Sequence, residues 1–192
     1  MSAGEGFVPP PWEPPLAGTE AENLLGSLDR LRATFRWKAD GLDAEGLAAG
    51  IPSSSLTLGG LLKHLAVVED FYSTQKLSGT PMPAVWDDNG WDDADDWEFT
   101  SAADDPPEQL YALYDAAVER NRALVRQAVE ERGLAGEAHV STPEGAHASV
   151  RRLLHDLLEE YGRHTGHADL LREAVDGRTG EDPPEDWRPG PA

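Results

Sequence analysis

Near the C-terminal end of this sequence, SVRRLLHDLLEEYGRHTGHADLLREAVDG places Glu160, His164 and His167 at intervals of four and three. At about 100° per residue of helix, His164 falls about 40° and His167 about 20° to either side of Glu160, so all three share one face. That face also carries Val150, Leu153, Leu157, Leu171 and Ala174, the pattern of a seam packed against other helices. Burying a carboxylate and two imidazoles costs several kcal/mol unless they find a partner, and a divalent metal ion suits Glu and His together. The metal-free reading pairs Glu160 with Arg163 or with a protonated His164 and treats each imidazole as an ordinary hydrogen-bonded core histidine. Three polar groups in successive seam positions weigh against it, because a half-satisfied buried network is less stable than an apolar core.

One helix supplies only half of such a site. His139 and His147 fall in a stretch punctuated by Gly and Pro, and His155 points about 140° away from Glu160 on its own helix. His64 is better placed. In LTLGGLLKHLAVVEDFY it follows Leu61 by three and precedes Val68 by four, on the apolar seam of a second amphipathic helix. One His from that helix and a Glu/His pair from the last make a three-ligand site with a coordination position open, the arrangement of catalytic metal sites.

Four amphipathic helices must hold these groups. Thr19 and Glu22 have the spacing of a capping box, and Leu24, Leu28, Leu31, Phe35 and Ala39 then recur on one face of a helix over about 20–40. Thr57 caps a second helix that runs to about residue 78, with Gly59 and Gly60 in its first turn marking a close approach by other backbone or by a ligand. Asp104 or Asp105 before Pro106 and Pro107 starts a third helix that ends near 132 and buries Leu110, Leu113, Tyr114, Ala117, Leu124 and Val125. Ser149 caps the fourth, and Gly177 stops it.

Between the second and third helices, residues 79–107 leave helical periodicity and form a long acidic loop carrying Trp86, Trp91 and Trp97. The indoles are expected to staple this loop over one end of the helices, with a lid over the metal site as the second role. Its aspartates lack the spacing of a calcium loop. Residues 1–18 form an extended arm, pinned by Phe7 and Trp12; residues 19–178 form the all-α four-helix bundle; residues 179–192 form a polar tail. Asp169 and Arg172 lie off the seam and are expected to pair at the surface.

Composition narrows the partners. A net charge of -20 over 192 residues repels phosphates and argues against nucleic acid and anionic membranes. No apolar run is long enough to span a bilayer, and the N-terminus lacks the basic start and apolar core of a secretion signal, which points to the cytoplasm. The chain has no cysteine, so any thiol chemistry must use a thiol brought by a small molecule.

The segments GLLKHLAVVEDFY, WDDADDWEF, LYDAAVERNRALV and LLHDLLEEYGRHTGHADLLREAVDG resemble the DinB-like metal-binding bundles, in the branch that includes the N-terminal domain of the mycothiol-dependent maleylpyruvate isomerases. The resemblance spans about residues 22–178. It implies an up-down-down-up four-helix bundle, often a homodimer, that holds zinc or nickel with three side chains. Many members place one His on the second helix and a His-x-x-x-His pair on the last, with Gly two residues after the second His. Here Gly166 follows His164, and Glu160 stands at the first position, as in the isomerase branch. On that correspondence the metal ligands are His64, Glu160 and His164. His167 is then a fourth ligand, an alternative to Glu160, or a hydrogen-bond partner and general base. The isomerases carry a second domain for which these residues leave no room, so maleylpyruvate is not the expected substrate. The resemblance implies a mycothiol-dependent transferase or isomerase acting on a small molecule, with a metal-dependent hydrolase or a non-catalytic, metal-stabilised binding protein as the other readings.

Overall fold

The computed structural model describes residues 9–10, 12–87, 90–91, 94 and 96–190. Helix α1 spans Glu20–Ala39, α2 Ala44–Ala48, α3 Leu58–Phe71, α4 Trp97–Ser101, α5 Pro107–Arg132 and α6 Val150–Asp176. Among the described residues the fold is all-α apart from one antiparallel pair, β1 (Glu137–Ser141) with β2 (His147–Ser149), between α5 and α6. Of the four long helices, α1 lies along α6 and α3 along α5, and α3 also meets α6. That last contact brings His64 opposite Glu160 and His164.

Helix ends follow local chemistry. The Thr19 backbone N–H donates to Glu22 at 2.7 Å while the Thr19 hydroxyl accepts from the Glu22 N–H, closing the expected capping box. Thr57 accepts from the Gly60 N–H at 3.0 Å and Ser149 from the Arg152 N–H at 3.2 Å. Gly177, at φ 77°, ends α6 in the left-handed conformation that costs glycine little. Four departures are informative. The connection after α1 contains α2, capped by Asp43. The second helix widens into a π-helical turn, Tyr72–Ser78, before stopping at Gly79. Neither Asp104 nor Asp105 caps α5, whose N-cap is Pro106; Asp105 turns instead to the buried Lys63 ammonium at 2.6 Å, which needs a counter-charge. The segment before Ser149 forms β1 and β2, strands of five and three residues that are too short for alternation to show.

The core joins Leu28 and Phe35 of α1, Leu58, Leu61, Leu62 and Leu65 of α3, Leu110, Tyr114 and Ala117 of α5, and Leu153, Leu157 and Leu171 of α6. Leu113 and Leu124 sit only at its margin. Through its middle runs a polar network. Arg32 grips the wholly buried Glu69 with two bonds of 2.7 Å and reaches Asn121 at 2.9 Å. The Tyr161 hydroxyl donates to Glu69 at 2.6 Å and lies 3.0 Å from the Tyr114 hydroxyl. A charge in the core is tolerable only when paired and fully hydrogen-bonded, and this network meets that condition with one residue from each of α1, α3 and α6 and two from α5.

Residues 79–107 are more than a loop. Short 3-10 turns at Ala84–Trp86 and Ala102–Asp104 flank α4. Trp86 is buried and donates its indole N–H to Asp70 at 2.7 Å, and Asp70 also takes both bonds of the Arg120 guanidinium. Trp97 stands edge-on to Trp86, and Trp91 lies 6.3 Å from the Phe71 ring. Asp88, Asp92, Asp93 and Asp95 of the acidic run, and Phe7 of the N-terminal arm, lie outside the described residues. Trp12 does pack, edge-on against Trp187, and Arg30 of α1 clamps Asp182. No described helix is long and apolar enough to cross a membrane.

Candidate metal centre

Helix α6 buries a wider stripe than its three-four spacing suggested. Tyr161, Thr165, Ala168 and Arg172 join Leu153, Leu157, His164 and Leu171 inside, while Ala174 is exposed and Glu160 and His167 are half-buried at the edge. The stripe shifts because Tyr161 is taken up by Glu69 and Arg172 by backbone. Arg172 is thus not a surface residue: it is 1% exposed and donates to the carbonyls of Lys38 and Asp40, satisfying the end of α1. Asp169 does pair near the surface, with Lys38 at 2.8 Å.

His64, Glu160 and His164 come together. One ligand atom from each lies within 4.8 Å of the others. Glu160 Oε2 is 3.8 Å from His64 Nε2 and 3.4 Å from His164 Nε2. Two ligands held at 2.0–2.2 Å from a tetrahedral ion stand ~3.4 Å apart, so these separations suit one divalent cation. The imidazoles of His64 and His164 meet edge to face at 4.8 Å. Among the described residues His64 Nε2 is buried without a hydrogen-bond partner. An orphaned buried nitrogen aimed at a carboxylate and a second imidazole could be satisfied by a cation, and the donor set of two His and one Glu fits zinc or a similar borderline ion.

His167 stands one step back. Its Nδ1 is 3.4 Å from Nδ1 of His164, on the side of that ring away from Glu160, and it is not one of the three converging groups. His139 and His147 sit on the exposed β1–β2 pair, and His155 faces solvent on α6. The pKa shifts follow the geometry. Burial pushes His64 down, but the Glu160 and Glu98 carboxylates outweigh it and leave His64 raised. His164 and His64 hold Glu160 far below the usual carboxylate range. Partial burial, with the neighbouring His164 and Arg163, pushes His167 down and favours its neutral form.

Two residues of the centre escape a reading by helical period. Glu98 Oε1 meets Nδ1 of His64 at 2.9 Å, and the Phe99 ring stacks on the His64 imidazole at 4.9 Å and 24°. Both come from α4, inside the stretch read as loop. The available signal is composition: in that acidic run Glu98 is the one acid flanked by aromatics on both sides, Trp97 and Phe99. The expected close approach at Gly59 and Gly60 is also found. A Cβ on Gly60 would lie 3.2 Å from the Phe99 ring, and one on Gly59 would lie 3.2 Å from the Leu47 carbonyl.

A cavity of about 600 Å³ lies elsewhere, between α1 and α5 under Trp12 and Trp187. Of its arginines, Arg32, Arg36, Arg122 and Arg126 are already paired with Glu69, Asp115 and Asp29, and Arg188 donates to backbone carbonyls. Across residues 23–177 the chain matches the family model described as mycothiol-S-transferase. No curated protein matches the chain.

Proposed function

The chain belongs to the mycothiol-S-transferase family, a DinB-like group, and from that premise we propose that it is a divalent-metal-dependent enzyme that joins a low-molecular-weight thiol such as mycothiol to an electrophilic small molecule. The observation that carries this reading is the convergence of His64 Nε2, Glu160 and His164 around a point where the buried His64 nitrogen has no other partner. Zinc or nickel bound there would lower the pKa of a thiol and so favour the thiolate at neutral pH.

The chain's own residues do the rest. The thiol must lose its proton, its sulfur must form a bond to the electrophilic carbon, and the leaving group must depart with the bonding pair. The chain has no cysteine, so the sulfur comes with the cosubstrate. His167, half-exposed, neutral and beside His164, is placed to accept the proton and pass it to solvent. Phe99 covers one face of His64 and keeps water off it. Glu160 and His164, one helical turn apart on a long helix tied into the core through Tyr161, keep a fixed spacing.

The same reading takes residues 19–178 as an up-down-down-up four-helix bundle with an arm at 1–18 and a tail at 179–192, located in the cytoplasm and paired as a homodimer. It is tested by stripping the protein of metal, restoring zinc or nickel, and following conjugation of mycothiol to an electrophile such as a chloro- or nitroaromatic. Turnover that needs both metal and thiol is the expected result. Turnover of an ester or amide without thiol would make the protein a hydrolase, and metal uptake that only raises the melting temperature would make the site structural.

A further inference from the structure

We propose that Glu98 is the positioning residue of the metal centre: its carboxylate fixes the tautomer and orientation of His64, so that the short helix α4 is a working wall of the site. The inference rests on the metal-binding reading above and goes beyond its three ligands.

An ionised carboxylate can only accept hydrogen bonds, and a neutral imidazole carries one N–H. With Glu98 Oε1 at 2.9 Å from Nδ1, the hydrogen of His64 resides on Nδ1 and the lone pair on Nε2. Nε2 is the buried, partnerless atom that faces Glu160 and His164. Glu98 is therefore on the far side of the ring from Glu160 and His164 and is not among the converging groups. Such a carboxylate behind a metal-bound histidine orients the ring and raises its basicity, and losing it typically weakens metal binding 10–100-fold.

Glu98 can do this only if α4 is itself held, and three contacts hold it. Lys63, the residue before His64, stacks its ammonium 4.2 Å above the Trp97 ring and reaches Asp105, just beyond α4. Phe99 stacks flat on the imidazole that Glu98 binds. Gly60, one turn before His64, lets the Phe99 backbone approach so closely that a Cβ there would stand 3.4 Å from the Phe99 Cα. These contacts seat residues 97–99 on the same turn of α3 that carries His64, which is more than a chance surface ion pair would require.

Two measurements on Glu98→Gln and Glu98→Ala test the proposal. Nitrogen NMR of the metal-free parent is expected to show His64 protonated at Nδ1; both variants should lose that preference, because a Gln amide accepts or donates equally well. Competition with a chromophoric chelator should show zinc binding weakened 10–100-fold in both, with the melting temperature of the metal-free protein changed by no more than a few degrees. Unchanged tautomer and zinc affinity within twofold of the parent would overturn the proposal, as would a collapse of the metal-free fold in the isosteric Gln variant. A parent that binds no zinc would instead sink the metal reading, and the tautomer measurement would still decide what Glu98 does.

Discussion

His64 on α3 and Glu160 on α6 face one another at 3.8 Å between Nε2 and Oε2. That is too long for a good hydrogen bond and well suited to two ligands of one ion. The two residues are 96 apart in the chain (160 minus 64), and they meet because α3 and α6 pack together.

Replacing His64 separates a catalytic from a structural site. His64→Ala is expected to abolish tight zinc or nickel uptake and thiol transfer together. The metal-free melting temperature should fall by only a few degrees, since the variant gives up one hydrogen bond, to Glu98, and the Phe99 stack at the edge of the core. Metal analysis, activity and calorimetry on one preparation check this. A drop in metal-free stability as large as that of a core deletion would point to a structural histidine.

His167 should behave differently. His167→Gln is expected to leave metal content unchanged and to lower kcat by about 10²–10⁴-fold, the usual loss when a general base is removed, with KM little altered. Loss of the metal in this variant would make His167 a ligand.

Metal uptake should release protons. Burial lowers and the Glu160 and Glu98 carboxylates raise the His64 pKa, with a net increase, so in the metal-free protein His64 holds its proton to higher pH than in the unfolded chain. An ion must displace that proton, and its apparent affinity should fall about tenfold per pH unit below the raised pKa. Calorimetry in buffers of different ionisation enthalpy measures the release. The sign for stability is opposite at the two partners. His64 stabilises the metal-free fold fully below its unfolded value of 6.5 and loses this as pH rises through the folded pKa. Glu160, held low, stabilises it above its unfolded value of 4.5 and loses this as pH falls. The contribution of the pair should therefore be largest between those two values, and denaturation of metal-free protein across pH should show a maximum that Glu160→Gln removes.

The buried network is a separate source of stability. Glu69→Ala leaves the Arg32 guanidinium without its main counter-charge in the core and should cost about 3–5 kcal/mol. Urea denaturation checks this. The companion Arg32→Met, Glu69→Met double variant should recover much of the loss, because it removes both charges from an apolar setting.

Much was legible from local pattern, because helix caps and periodic faces are encoded within a few residues. Thr19 with Glu22, Thr57, Ser149 and Gly177 all act where their spacing puts them. The same periodicity singled out His64, Glu160, His164 and His167 as groups on packed faces, of which the first three converge. Arg172 shows where that kind of reasoning stops: nothing within its own helix reveals that the carbonyls of Lys38 and Asp40 will cover it.

By itself, then, the sequence determined that four amphipathic helices form and that two of them carry side chains able to hold a metal on their packed faces, since both follow from residue type and the 3.6-residue turn. Only the tertiary structure decided that Glu160 and not His167 faces His64, that Arg32 and Glu69 share the core, and that Glu98 meets Nδ1 of His64. Those relationships join residues far apart in the chain, and they depend on how helices rotate about their axes as they pack, which no single segment encodes.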